Sequence, residues 1–220
     1  MNLEDYKKCI QNNKFLEFYG ILMGDGCLSK YTVGNSEKKI ICITCNAIKD
    51  KAYVEKYVNN LIITLFKTKP KIRIRKDNTI ELKVYNKQIF EFLNKVGFPT
   101  GIKGQIKIPN SIIKLPAKKI NHLIRGFFDT DGCITARKDE KYRYPIIFIS
   151  TKSDILRKQF KTLLTKQGFP TYTNKWDAAI KGIGNFKKWF KVIGSSNKRN
   201  LSRYEEFTKT GRLASIGYLQ

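Results

Sequence analysis

One pattern of eleven residues occurs twice in this chain. Residues 18–28 read Phe-Tyr-Gly-Ile-Leu-Met-Gly-Asp-Gly-Cys-Leu, and residues 124–134 read Ile-Arg-Gly-Phe-Phe-Asp-Thr-Asp-Gly-Cys-Ile. At an offset of 106 the copies share Gly20/Gly126, Asp25/Asp131, Gly26/Gly132 and Cys27/Cys133, with apolar residues between. Self-similarity at a fixed offset constrains the fold more tightly than composition does, because each copy must build the same unit.

The segments after each copy correspond as well. Alternating runs over 27–33 and 39–46 predict two strands. A helix over 50–66 follows, with Tyr53, Tyr57, Val58, Leu61 and Leu65 at helical spacing. Two short strands near 70–76 and 79–85 flank the turn signal Asp77-Asn78. A helix with Ile89, Leu93 and Val96 on one face then ends at Gly97. After the second copy the order recurs: strands near 133–138 and 143–151, a helix over 153–167 ended by Gly168, and two strands near 170–182. A last helix carries Phe186, Phe190 and Ile193 and ends at Gly194. Each half thus reads α-β-β-α-β-β-α, an α+β fold of two pseudo-symmetric repeats. Gly97-Phe98-Pro99-Thr100-Gly101 and Ile108-Pro109 mark the joint, giving repeats over 1–105 and 106–220.

The repeated segments read as helices over 16–25 and 120–131. A glycine in a helix interior costs about 1 kcal/mol relative to alanine, so Gly20 and Gly24 on one face need compensation. Close approach of a second helix backbone supplies it. Gly126 and Thr130 stand in the same register of the second copy, so the two helices are expected to pack along these small faces.

Each helix then ends in Asp-Gly. Asp-Gly can simply stop a helix, but two copies with a glycine at the same upstream distance point further. An aspartate in the last turn faces the negative end of the helix dipole, and side-by-side packing brings Asp25 near Asp131, adding like-charge repulsion. A divalent cation between the carboxylates reverses both penalties, and a hard oxygen site of that kind suits Mg²⁺. Such acids on a basic surface are apparatus for phosphodiester cleavage.

The surface is basic: 43 Lys+Arg against 18 Asp+Glu, a net charge of +25, divided as +10 in residues 1–110 and +15 in residues 111–220. Self-repulsion on that scale implies a polyanionic partner touching both halves. With 41% hydrophobic residues the chain can build a core, which excludes a disordered basic tail. The runs Leu61-Ile62-Ile63 and Ile146-Ile147-Phe148-Ile149 are far short of the roughly 20 residues that span a bilayer. Glu4 and Asp5 stand where a targeting peptide would carry bases. The expectation is an intracellular protein, cytoplasmic or organellar, without a membrane partner. Cys42-x-x-Cys45 lies in a strand-like run that turns its side chains to opposite faces, and with one histidine a zinc site is not expected.

Tyr19-Gly20-Ile21-Leu22-Met23-Gly24-Asp25-Gly26 and Arg125-Gly126-Phe127-Phe128-Asp129-Thr130-Asp131-Gly132 resemble the paired signatures of the LAGLIDADG homing endonucleases in their single-chain, two-repeat form. The α-β-β-α-β-β-α order of each half is that family's too. The resemblance implies a monomer whose antiparallel sheets form a DNA-binding saddle, with the motif helices packed at the interface. It also implies that the final acid of each motif holds divalent metal with a neighbouring carbonyl: Asp25 with Gly24, and Asp131 with Thr130. Mg²⁺ is the expected cofactor, with Mn²⁺ able to substitute. Asp129, at the sixth motif position opposite Met23, is expected to hydrogen-bond near the helix end rather than ligate. A basic residue near each metal points to Lys103 and Lys198, with Lys107 a competitor for the first.

Strand 69–75 puts Lys71, Arg73 and Arg75 on one face and Ile72 and Ile74 on the other, and Lys83 and Tyr85 extend the pattern. A nearly one-signed, long-armed face suits a DNA groove. The second half offers Arg137, Lys138, Lys141 and Arg143, then Lys175, Trp176 and Lys181. The divergence of the halves implies an asymmetric double-stranded target. By resemblance, each metal site cuts one strand, leaving 3′ overhangs and promoting intron mobility. The alternative is an RNA-binding intron maturase on the same scaffold, with intron RNA as partner. An intein is not expected, because the Gly217-Tyr218-Leu219-Gln220 ending lacks a His-Asn pair.

Overall fold

Asn12 starts the first motif helix. In the computed structural model, which describes residues 3–136 and 144–213, its side chain accepts from the backbone N–H of Lys14 at 2.8 Å and of Phe15 at 3.3 Å. It thereby satisfies two of the donors that open a helix. A short helix α1 (Leu3–Ile10) leads into α2 (Asn13–Asp25), and the hairpin β1 (Gly26–Val33) and β2 (Ser36–Asn46) follows. A π-helical segment (Tyr53–Val58) runs into α3 (Asn59–Phe66), then β3 (Lys71–Ile74), β4 (Thr79–Val84) and α4 (Lys87–Val96).

The second half repeats this order. A short α5 (Asn110–Ile113) precedes the second motif helix α6 (Ala117–Asp131), β5 (Gly132–Ala136) and β6 (Pro145–Ser150). Then come α7 (Asp154–Lys166), β7 (Thr171–Thr173), β8 (Asp177–Lys181), α8 (Ile183–Val192) and α9 (Lys198–Thr210). Each half carries a four-stranded antiparallel sheet, ordered β1-β2-β4-β3 and β5-β6-β8-β7. Among the described residues no helix is long and apolar enough to cross a membrane.

Besides the short helices α1 and α5, two features depart from the expected order. The helix expected over 50–66 is π-helical through its first half, a geometry that often marks a functional position. There Tyr53 and Tyr57 stack at 5.6 Å, and the Tyr57 hydroxyl donates to Glu17 Oε1 at 2.6 Å. Helix α9 was not expected, because its apolar residues are few. Phe207 packs edge-on to Phe186 at 5.2 Å and Tyr204 stacks on Phe190 at 4.1 Å, so two rings carry the contact.

The two motif helices meet backbone to backbone. A Cβ added at Gly20 would lie 2.1 Å from the Leu123 carbonyl oxygen, and one at Gly126 would lie 2.1 Å from that of Glu17. Near the helix ends, a Cβ at Gly24 would lie 2.0 Å from Thr130 Oγ1. Around this junction one continuous core runs through both halves, with Tyr19 edge-on to Phe98 on one side and Phe128 edge-on to Trp189 on the other.

The closing segment of each repeat crosses to the other. Ile108 exchanges hydrogen bonds with the Gln159 amide of α7 at 2.7 and 3.1 Å, and Ser153 Oγ donates to the Ile106 carbonyl at 2.6 Å. In return, Ser196 Oγ donates to Glu17 at 2.6 Å and Asn197 Nδ2 to Asp50 Oδ1 at 2.9 Å. The expected division at 105/106 falls inside the first crossing segment.

Helix contact at Gly126 leaves no room for a methyl group, so Gly126→Ala is expected to lower stability by about 1–3 kcal/mol in urea denaturation. Gly184, in α8 with open space around it, is the control. Gly184→Ala is expected to be neutral or to stabilise by up to about 1 kcal/mol.

Candidate active site

Asp25 and Asp131 are the last residues of α2 and α6, and the glycine after each begins a strand. Gly26 and Gly132 are not left-handed helix stops. Both are extended, at φ −98° and −97°, and are tight because a Cβ would lie 2.6 Å from the Leu22 carbonyl oxygen or 2.3 Å from that of Phe128. The chain therefore passes from helix to strand within one residue, leaving both carboxylates at the junction of the repeats. Burial raises the Asp25 pKa, against a hydrogen bond with Cys45 and the charge of Lys103. Asp131 is pushed up to about 6, by burial first and then by the Asp25 charge, again against Lys103.

Lys103 reaches this junction from the first crossing segment, where Gly101 and Gly104 flank it at φ +81° and +46°. Its ammonium donates to the Met23 carbonyl at 3.0 Å and to the Gly24 carbonyl. Burial lowers its pKa, although Asp131 and Asp25 favour the charge. Lys107 is exposed.

In the second half, Asp129 occupies the position of Met23 at the repeat offset. Its carbonyl accepts from Asn197 Nδ2 at 3.1 Å and lies 3.5 Å from Arg199 Nη2, whose guanidinium is paired with Asp50 at 3.3 Å. Lys198, the first residue of α9, is exposed, so Arg199 and not Lys198 faces inward here. Asn197 could have signalled this, since as the cap of α9 it accepts from Arg199 N at 3.0 Å and turns its neighbour outward. The Asp129 carboxylate is buried and accepts from Ser195 Oγ, from Ser196 N at 2.7 Å and from Asn200 Nδ2 at 3.2 Å. Desolvation raises its pKa to about 7. It ties the second crossing segment to the end of α6.

A hard divalent cation fits these donors. Two carboxylates and the Gly24 carbonyl offer oxygen donors, and the Lys103 ammonium already rests on that carbonyl, so positive charge is favoured there. Among the described residues no three His, Cys, Asp or Glu side chains converge, so water and phosphate oxygens must complete the shell. Thr130 Oγ1 donates back to the Phe127 carbonyl at 2.9 Å, leaving its main chain as the donor available to a cation.

Strand register lays out the sheet faces. In the first sheet, Cys27, Cys42, Lys83 and Lys71 form one cross-strand row, and Thr44, Glu81 and Arg73 form the next. Lys71, Arg73, Arg75 and Tyr85 are exposed, with the Lys71 ammonium 5.5 Å from the Tyr85 ring. The face is not one-signed: Glu81 sits among these bases, paired with Arg75 and Lys83. Ile74, expected to turn inward, is also exposed, because β3 is an edge strand.

The matching row of the second sheet is Cys133, Phe148, Ala179 and Tyr172, with no cation in it. Lys181 stands over the Tyr172 ring at 5.2 Å and Lys175 over Trp176 at 4.9 Å. Arg137, Lys138, Lys141 and Arg143 lie outside the described residues.

Two helices in backbone contact, ending in neighbouring acids beneath two antiparallel sheets, define the LAGLIDADG fold. Residues 118–207 match the family profile of the LAGLIDADG-like domain. The second repeat is thus similar to the LAGLIDADG-like domain, and the chain as a whole has the fold of the LAGLIDADG homing endonucleases. The structure of I-DmoI in complex with DNA and Mn is similar at TM-score 0.60 and 20% identity, covering 84% of this chain and 99% of that one. LAGLIDADG meganuclease I-AabMI bound to uncleaved DNA is similar at TM-score 0.60 and 12% identity, covering 90% of each.

Curated relatives include the ATP-dependent DNA helicase Hel308 of Methanocaldococcus jannaschii, 24% identical over an alignment of 219 positions that covers 93% of this chain and 17% of that protein. The replication factor C small subunit of the same organism is 24% identical over 209 residues, 90% of this chain and 10% of that protein. The chain spans only 8% to 21% of the length of the curated relatives it matches.

The half-buried Asp131 gives a pH signature. Asp131 holds its proton more tightly folded (about 6) than its ordinary value of 3.8 allows. The folded state therefore binds more protons across that window, and stability falls as pH rises through it, levelling off above about 6. In chelator, Asp131→Asn is expected to remove about 2 kcal/mol of this decline, measured by urea denaturation across the window.

Proposed function

We propose that this protein is a site-specific DNA endonuclease, dependent on Mg²⁺, that cuts both strands of a long asymmetric duplex and leaves 3′ overhangs. The observation that carries the reading is the pair Asp25 and Asp131. These half-buried acids end two helices whose backbones touch, with Lys103 on the carbonyls beside them. Likeness of fold to the DNA-bound structures of I-DmoI and I-AabMI supports duplex DNA as the partner.

Asp25 with the Gly24 carbonyl, and Asp131 with the Thr130 carbonyl, would hold the divalent ions. When bound, such an ion polarises the scissile phosphate and lowers the pKa of a water. The chain's own groups do the rest. Asp25 and Asp131 would each serve one strand across one minor groove. Lys103 offers its ammonium to charge developing on a phosphate, from a half-buried position where that charge is less screened than in water. Arg199, held by Asp50, supplies the corresponding charge in the second half. The two sheets grip the flanking duplex, and their unlike rows favour an asymmetric target. One chain contains both acids, so the active unit is a monomer. Cutting a vacant copy of the gene's insertion site would promote mobility of the intron or gene that encodes it.

The DNA flanking the reading frame, rejoined as if the insertion were absent, is the natural substrate. A plasmid carrying it is expected to be linearised by purified protein with Mg²⁺, and end sequencing reads the overhang. Asp25→Asn or Asp131→Asn should abolish linearisation while gel-shift binding survives. Lys103→Met and Arg199→Met should each slow it by about 10²–10³-fold, whereas Lys198→Met should have little effect. Unchanged cutting by both aspartate variants would remove the acids from the reaction.

A further inference from the structure

Glu81 is an acid on the face offered to a polyanion. Its side chain is 11% exposed, and its two carboxylate oxygens have different partners: Arg75 Nη1 donates to Oε1 at 3.3 Å and Lys83 Nζ to Oε2 at 2.9 Å. Arg73 stands directly opposite on β3. Arg75 is held from its other side by Asp77 at 3.3 Å, and the Thr79 hydroxyl fixes Asp77 at 2.6 Å. A side chain that only helped the protein adhere to phosphates would be a cation or neutral here, because an anion opposes counterion release. What the carboxylate does instead is order two long side chains that would otherwise lose rotamer freedom on binding.

The second sheet shows the contrast. Register places Asp177 where Glu81 stands and Ala179 where Lys83 stands. Asp177 accepts from Ser150 Oγ at 2.6 Å and Asn174 Nδ2 at 2.8 Å, so it braces a turn and, among the described residues, has no ion pair with a cation. Among the described residues, this charged, pre-set cluster belongs to the first sheet.

We propose that Glu81 is a positioning residue for sequence recognition. It holds Arg75 and Lys83 in fixed poses against base edges in the major groove, where both can pair with guanine, at a cost in affinity for DNA of any sequence. The inference rests on the DNA-binding reading above and assigns to one residue a discrimination that reading leaves open.

The test is selection from a library of random-sequence duplexes by wild type, Glu81→Gln, Arg75→Gln and Lys83→Gln, each checked for folding by circular dichroism. Wild type should enrich a motif. Glu81→Gln should lose preference only at the base pairs that Arg75→Gln or Lys83→Gln also lose. On a fixed unselected duplex it should bind about threefold tighter, with a salt dependence steeper by about one ion.

An unchanged motif in Glu81→Gln, or weaker binding to unselected DNA, would overturn the proposal. So would loss at base pairs the other two variants retain, since Glu81 would then read a base itself. If Glu81→Gln does not fold, Glu81→Asp, too short to span both partners, carries the same expectations. Failure of the wild type to enrich any motif would instead reject the DNA-binding reading, and this inference with it.

Discussion

The backbone contact between α2 and α6 is the constraint on which the rest depends. With Gly20 against Leu123 and Gly126 against Glu17, the helices approach as closely as peptide groups permit. That approach joins two half-cores into one, aligns the sheets and delivers two carboxylates to a single point. Each acid then pays for its position with a raised pKa, from desolvation and, at Asp131, from the charge of Asp25. Arrangements that hold acids in an unfavourable state without bound charge are a recurrent mark of functional sites. A divalent cation relieves that state.

Exchange of the closing segments makes the junction more than a two-helix contact. Lys103 sits on a segment anchored through Ile106 and Ile108 to the second half, and Arg199 is anchored through Asp50 to the first. Each repeat thereby fixes a basic residue carried by the other. Asp129 and Glu17 occupy the middle of this network. Glu17, on α2, pairs with Arg125 of α6 and accepts from Tyr57 and Ser196, so its charge is matched across the same helix contact. Glu17, Asp50 and Asp129 are thus engaged in holding the junction together.

Much of this was legible in the residues, and the reasons are physical. Gly20, Gly24 and Gly126 announced the helix contact because a glycine in a helix interior has a cost that only close packing repays. Lys103 could be placed near the acids, and is found on the Met23 and Gly24 carbonyls, but only tertiary structure separates it from exposed Lys107. Arg199 was missed because the start of α9 rotates one residue inward and its neighbour outward, a difference of one position that charge alone does not reveal. Glu81 was passed over for a related reason. Alternation sets it beside Lys83 on its own strand, yet its second partner, Arg75, is brought across by the pairing of β3 with β4, which short-range periodicity does not encode. The π-helical turn at Tyr53–Val58 had no signal in the pattern that predicted a helix there.

The central claim is that Asp25 and Asp131 together form a divalent-metal centre on DNA. Crystals of the protein with duplex and Mn²⁺, measured at a wavelength where manganese scatters anomalously, test it directly. The account predicts anomalous peaks within coordination distance of both carboxylates, each also touching a phosphate oxygen. Manganese bound elsewhere, with Asp25 and Asp131 making only protein hydrogen bonds, would contradict it.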